Sequence, residues 1–196
     1  MLTQVNSTRL GLSNLIETSE VFGPTFQGEG PSVGRRAAFI RLRRCNLQYS
    51  WCDTKYTWEK TDPGYRDYQT WELGYLARYV NSLKCSLVVI TGGEPLLWQR
   101  QLQILLPLLT CSRVEIETNG TISPHLTLLR LTVAGFGLPT IHYNVSPKLG
   151  SSGNVGLGCL RDTPLRHFSD LSQQGLATFK FVVGWSTWPE DFAVVA

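Results

Sequence analysis

Short β-branched, apolar runs alternate along this chain with longer stretches of helical periodicity, and that alternation narrows the possible folds more than any other feature. The runs are Ala37–Arg43 (AAFIRLR), Leu87–Thr91 (LVVIT), Val114–Thr118 (VEIET), His142–Val145 (HYNV) and Phe179–Val183 (FKFVV). Most are near-continuously apolar, as strands covered on both faces are. Between them, Leu73, Leu76, Ala77 and Val80 repeat at helical spacing from Trp71 onward,. Gln99–Leu109 reads as a second helix, with Pro107 inside it,. A third is expected over Pro164–Gln174, with Asp162 or Thr163 as N-cap, Pro164 in the first helical position and Gly175 as the stop,. Strand, helix, strand, repeated, predicts an α/β domain with a parallel sheet and right-handed crossovers. A β/α barrel, partial or full, and an open doubly wound sheet both fit the pattern.

Residues 1–16 read as a loose polar extension and 17–196 as a single domain, without repeat, charge block or linker. Ser186–Ala196 (STWPEDFAVVA) reads as the start of a helix that ends after about two turns, which suggests a domain shortened at its C-terminus,. Apolar residues make up 42% and charged residues 17%, which excludes disorder and coiled coil,. Eighteen Lys and Arg against 15 Asp and Glu leave +3, too small a surplus to point to nucleic acid,. No apolar run approaches the roughly 18 residues of a membrane span, and the first twenty residues hold no continuous apolar signal segment,. Five cysteines, an odd count, fit a reducing compartment, here the cytoplasm, with thiols that are unpaired or bind metal,.

Cys45 and Cys52 follow the first run directly. On spacing alone, two cysteines seven apart read as buried small apolar residues sooner than as a ligand pair. A tetrahedral zinc site is disfavoured, because there is no CxxC pair and His125, His142 and His167 lack ligand spacing,. Around them, Arg41, the TGGEP of 91–95, the ETNG of 117–120 and the SPK of 146–148 all sit at the ends of successive runs. In a parallel sheet such strand ends converge on one rim, where active sites form.

The segment VFGPTFQGEGPSVG (21–34), then FIRL, the CDT of 52–54, TGGEP, ETNG and SPK resemble, in order and over roughly residues 17–185, the 7-carboxy-7-deazaguanine synthase family of radical S-adenosylmethionine (SAM) enzymes. The resemblance implies a partial (β/α) barrel, usually a homodimer, that turns 6-carboxy-5,6,7,8-tetrahydropterin into 7-carboxy-7-deazaguanine on the route to queuosine. It implies a 4Fe–4S cluster, SAM, Mg2+ and an electron donor such as flavodoxin. Cys45 and Cys52 match the first and third cysteines of the family's C-x3-C-x2-C signature, and Tyr49 stands at the second. Thr54 falls on the Mg2+ ligand. Trp51, Asp53, Gly93, Glu94, Ser146, Pro147 and Lys148 fall on SAM contacts, with Glu117 and Asn119 where the ribose hydroxyls are expected. Phe26, Gln27, Gly28, Arg41 and Thr91 fall on the substrate, Gln27 reading the pterin edge and Arg41 holding the carboxylate. Arg43 is expected on the same strand face as Arg41. Cys159, in the loop after HYNV, is a candidate to replace the absent thiolate, whereas Cys85 and Cys111 precede strands and belong at the far end. Three readings stay open: a working synthase, a catalytically impaired relative that only binds pterin or SAM, and a radical SAM activase.

Overall fold

The computed structural model describes residues 14–133, 137–153 and 159–195. The strands are β1 (Leu15–Phe26), β2 (Arg36–Leu42), β3 (Gln69–Glu72), β4 (Leu87–Gly92), β5 (Arg113–Thr118), β6 (Thr140–Val145) and β7 (Ala177–Phe179). Among the described residues they form one sheet in the order β3-β1-β2-β4-β5-β6-β7. From β2 to β7 every pairing is parallel, while β1 runs antiparallel to both β2 and β3. The sheet does not close, so the barrel is partial. The helices are α1 (Leu73–Ser82), α2 (Gln99–Leu105), α3 (Leu126–Val133), α4 (Asp162–Gln173) and α5 (Trp188–Val195).

The alternation of side chains along each strand divides the sheet into two unlike faces. Ala38, Ile40 and Leu42 of β2, Val88 and Ile90 of β4, Val114 and Ile116 of β5, and Ile141, Tyr143 and Val145 of β6 point to one side. There they pack against Leu73, Leu76, Ala77 and Val80 of α1, Leu102 and Leu105 of α2, Leu128 of α3, and Phe168 and Leu171 of α4. Each such aliphatic side chain, wholly withdrawn from water, contributes about 1.5–3 kcal/mol. The opposite face holds only a small apolar cluster, Ala37, Phe39, Leu87 and Val89 with Phe22 against it. Beyond that cluster this face turns polar, through Glu115, His142 and then Arg41, Thr91, Glu117 and Asn144.

Several expectations shift. β1 begins at Leu15, inside the expected loose extension, and Ile16 is wholly buried. The rest of β1 was hidden because register shifts between Thr18 and Glu20 and between Phe22 and Thr25 break its alternation,. The last strand is Ala177–Phe179, not Phe179–Val183. Its partner β6 ends at Val145, and Pro147 beyond it has no N–H to continue a ladder,. α4 starts at Asp162 with Arg161 as N-cap, so Asp162 lies in the first turn, where a carboxylate meets the helix's unpaired amides,. The short helix α3 had no predicted counterpart. No helix among the described residues is long and apolar enough to cross a membrane.

Candidate active site

A cavity of about 190 Å3 opens at the C-terminal ends of the parallel strands. Its floor is one inward layer of the sheet. Arg41 pairs in register with Thr91, and Glu117 with Asn144. The Thr91 hydroxyl donates to Glu117 Oε2 at 2.7 Å and so joins the two halves of the row. Arg41 is held from the side by Glu20, Nε to Oε1 2.6 Å. Burial raises the Glu117 carboxyl above its ordinary range, against the hydrogen bond from Thr91. One layer deeper, Glu115 is fully buried and accepts hydrogen bonds from Ser32, from Arg113 Nε at 2.9 Å and from Asn144 Nδ2 at 3.2 Å. Burial would raise Glu115 too, but the donors Ser32, Arg113 and Gln27 outweigh it and hold its carboxyl low.

One wall is the loop that follows β2. It is fixed where Arg44 N donates to Thr57 O (2.9 Å), Asn46 Nδ2 to Thr121 Oγ1 (2.7 Å) and Asn119 Nδ2 to Asn46 Oδ1 (2.9 Å). Cys45, Tyr49, Cys52, Asp53 and Thr54 all line the cavity from this loop. Trp58 Nε1 donates to Cys52 Sγ at 3.4 Å, and the Thr54 hydroxyl is 3.6 Å from the same sulfur. Burial pushes the Cys45 thiol up to about 11, against the Leu47 amide that donates to it. Tyr49 is pushed up as well, chiefly by burial, with the neighbouring Cys52 adding to it. Its ring meets Trp51 edge-on at 4.7 Å and lies 5.3 Å from Lys148 Nζ.

The opposite wall carries Ser146 and Lys148, with Asn119 between them and the TGGE turn. Lys148 Nζ donates to Ser146 Oγ at 2.9 Å, and burial, reinforced by Lys180, lowers its pKa. In the TGGE turn, Gly92 has φ +118, and a Cβ there would meet Leu42 O at 2.1 Å. A Cβ on Gly93 would meet Arg44 O at 2.0 Å. These glycines let the turn lie directly on the backbone leaving β2, where Gly93 N donates to Leu42 O (2.9 Å) and Glu94 N to Arg44 O (2.8 Å). Glu94 points away from the cavity. Fully buried, it accepts from Leu96 N (2.9 Å), Thr118 Oγ1 (2.8 Å) and Asn119 N (2.8 Å), tying TGGE to ETNG.

Of the residues singled out from sequence, Arg41, Cys45, Cys52, Asp53, Thr54, Thr91, Gly93, Ser146 and Lys148 converge on the cavity, as do Glu117 and Asn119. Glu94, Pro147, Trp51 and the Phe26–Gly28 segment do not line it. Phe26 is 69% exposed. Gln27 is buried but turned under the floor, its Nε2 donating to Glu117 Oε1 (3.2 Å) and its Oε1 accepting from Gly28 N (2.8 Å). Trp51 donates to Ser151 O at 3.3 Å. Arg43 leaves the strand face of Arg41, because β2 ends at Leu42. Its guanidinium lies 4.1 and 3.9 Å from the ring centroids of Tyr65 and Tyr68. Cys85 and Cys111 sit before β4 and β5, at the far end. Sequence reasoning missed Glu29, Asn144 and Lys180, although Lys180 in FKFVV and Asn144 in HYNV are polar interruptions of apolar runs. Lys180 Nζ meets Glu29 Oε1 at 2.6 Å at the cavity edge.

The donors in the loop do not fit a 4Fe–4S cluster held by three thiolates. Two thiols are present in the loop, and the third position offers a phenol, a harder and bulkier donor than a thiolate,. Among the described residues, which include Cys159, no group of three or more His, Cys, Asp or Glu side chains gathers to hold a metal. For Mg2+ the chain offers the Thr54 hydroxyl, a hard oxygen suited to an ion that takes few protein ligands,.

No protein-family model matches the chain. It is 36% identical over 143 residues to the 7-carboxy-7-deazaguanine synthase of Pyrobaculum aerophilum, covering 70% of this chain and 57% of that one. It is 42% identical over 114 residues to the synthase of Hyperthermus butylicus (56% and 45%), and 34% over 110 residues to that of Bacillus subtilis (55% and 45%). The matches thus span about half the length of these curated relatives. The crystal structure of QueE from Escherichia coli shares the fold, with TM-score 0.53 at 22% identity over 92% of this chain and 90% of that one. With its motifs in order around one cavity and these relatives matching in sequence, the chain is related to the 7-carboxy-7-deazaguanine synthase family over the part of those proteins that it spans.

Proposed function

We propose that this chain is a carbon–nitrogen lyase of the 7-carboxy-7-deazaguanine synthase type, with 6-carboxy-5,6,7,8-tetrahydropterin as substrate. The observation that carries this is the floor of the cavity, an arginine, a hydroxyl, a carboxyl and an amide set side by side on four neighbouring strands. Arg41 meets the substrate carboxylate, for which a guanidinium is the matched partner. Lys148 and Lys180 add positive charge to the same cavity. Thr54 is the chain's ligand for Mg2+. The carbonyl of Gly93, with Ser146, Lys148 and Asn119, would hold SAM, and Glu94 stiffens that wall from behind. Gln27 acts through Glu117 rather than by touching the pterin. The family's homodimer, an electron donor such as flavodoxin and a cytoplasmic setting belong to the same reading.

SAM chemistry in this family starts from an electron supplied by a cluster. Because the thiols here do not complete the ligand set, the part derived for this chain is to bind, orient and keep water from the substrate. A second reading, a relative that binds pterin or SAM without turnover, is favoured by one observation, the Tyr49 phenol lining the cavity with Cys45 and Cys52 where a third thiolate would be needed. Anaerobic reconstitution of the wild type and Tyr49→Cys tests both readings, with iron and sulfide content, 5′-deoxyadenosine formation and pterin-6-carboxylic acid binding as readouts. Pterin binding by both, with product from at least the cysteine variant, supports the synthase site. Pterin binding with SAM cleavage in neither leaves the binding-only relative, and no pterin binding in either refutes the assignment.

A further inference from the structure

Asn144 is 6% exposed and lines the cavity floor, yet its Oδ1 has no hydrogen-bond partner. Such a group costs about 1–3 kcal/mol unless something satisfies it. The orientation of the amide is fixed, because Nδ2 donates to Glu115 Oε2 at 3.2 Å and the reverse setting would turn Oδ1 onto a carboxylate,. Gly30 closes over the amide, at φ +69, so near that a Cβ there would stand 3.0 Å from Nδ2 and 3.1 Å from Oδ1. A residue of the cavity floor therefore carries a buried acceptor without a partner, and a ligand that satisfies it must bring an N–H or O–H donor.

We infer that Asn144 is a specificity-determining residue that accepts a hydrogen bond from the amino-bearing pyrimidine edge of the bound pterin. The inference rests on the pterin reading of the cavity and names the residue that recognises the end of the substrate remote from the carboxylate. Arg41 and Asn144 lie in the same inward layer, three strands apart, about 14 Å between backbones by ordinary strand spacing,. The Arg41 side chain reaches into that span from one end. A fused bicyclic ring lying along the row, carboxylate over Arg41, brings its 2-amino group to the Asn144 end. Glu117, Asn144's register neighbour, already accepts from Thr91 and Gln27. That leaves Asn144 as the acceptor on this floor without a donor from the protein.

The test compares two probes that differ at that edge alone. Pterin-6-carboxylic acid carries the 2-amino donor, and lumazine-6-carboxylic acid carries an oxygen acceptor in its place. By fluorescence titration the wild type binds the pterin about tenfold more tightly than the lumazine, as expected when a buried acceptor is left facing another acceptor. Asn144→Leu brings the ratio close to one, while Arg41→Ala weakens both probes and leaves the ratio standing. Thermal unfolding verifies that the variants fold, and Asn144→Ala replaces the leucine variant should that one fail to fold. An unchanged ratio in the folded Asn144 variant overturns the inference and leaves the pterin reading intact. Failure of the wild type to bind either probe overturns the pterin reading, and this inference with it.

Discussion

Substituting alanine for Gly93 separates two roles for the TGGE turn, a close approach to a ligand and a close approach to the protein's own backbone. The structure puts the second first. The new Cβ would stand 2.0 Å from Arg44 O and 2.4 Å from the carbon of the same carbonyl, and both are backbone atoms that no rotamer change can move. Relief requires the turn and the chain leaving β2 to part by more than an ångström. That parting stretches Gly93 N to Leu42 O and Glu94 N to Arg44 O beyond hydrogen-bonding length. Overpacking of this sort costs about 1–3 kcal/mol, and each lost hydrogen bond about 0.5–1.5 kcal/mol. Together they put Gly93→Ala about 2–6 kcal/mol below the wild type. Gly92→Ala meets Leu42 O at 2.1 Å and adds a φ of +118, which costs a further 1–2 kcal/mol or so,. Urea unfolding followed by far-ultraviolet circular dichroism, without SAM or pterin, measures both. For a domain of this size, each kcal/mol lowers Tm by about 2–4 °C. A Gly93→Ala protein within about 0.5 kcal/mol of the wild type, weakened only in ligand binding, would refute the reasoning and return the glycine to a ligand-facing role.

Arg41→Ala should weaken pterin-6-carboxylic acid by about 10- to 100-fold, the worth of a charge-assisted pair, while the urea midpoint moves little because the Glu20 partner is surface-exposed,. An unchanged dissociation constant would remove Arg41 from the site. Arg43→Lys keeps the charge but loses the planar stacking between Tyr65 and Tyr68 and the donation to Tyr65 O at 2.7 Å. It should cost about 1–3 kcal/mol in urea unfolding and leave pterin affinity alone, since Arg43 does not line the cavity. Glu117 has a raised carboxyl pKa, so the fold favours its protonated form. Below the ordinary value of 4.5 both states hold the proton, and as pH rises the unfolded chain releases it first, so the wild type loses stability relative to Glu117→Gln. Urea midpoints across about pH 4 to about pH 8 should therefore shift in the variant's favour with rising pH, and a flat difference would contradict the assignment.

The parallel half of this fold was legible because each of β2, β4, β5 and β6 carries an apolar row for the helices, and the chain writes that row as a near-continuous apolar run. The antiparallel half was not. β1 has Ile16 at the core, but two register shifts remove the period by which a strand is recognised,. The site divides in the same way. Arg41, Thr91 and Ser146 could be placed from sequence because strand ends in a parallel sheet must meet at one rim. Which way each side chain turns was not available, since it depends on partners far off in the chain. Glu94 belongs to a cofactor motif, yet it spends all its hydrogen bonds on Leu96, Thr118 and Asn119. Gln27 belongs to a substrate motif, yet its amide serves Glu117 and Gly28. Both residues sit one step behind the surface that a ligand would touch.

That step matters for Tyr49, where sequence and geometry bear on the same question from different sides. In sequence, a tyrosine between Cys45 and Cys52 is only a departure from a spacing rule. In the fold, its ring meets Trp51 edge-on at 4.7 Å and lies 5.3 Å from Lys148 Nζ, at the wall of the cavity. A cysteine at this position would withdraw the ring from Trp51 and from the lysine ammonium. Tyr49→Cys therefore changes more than one ligand, because it also opens the volume a cluster needs. The floor, by contrast, is built from β2, β4, β5 and β6 and is braced from beneath by Glu115. Nothing in that bracing passes through Tyr49, so pterin recognition and cluster loading should vary independently between the two proteins. A Tyr49→Cys protein that gained iron and lost its pterin affinity would show that the loop and the floor are coupled after all.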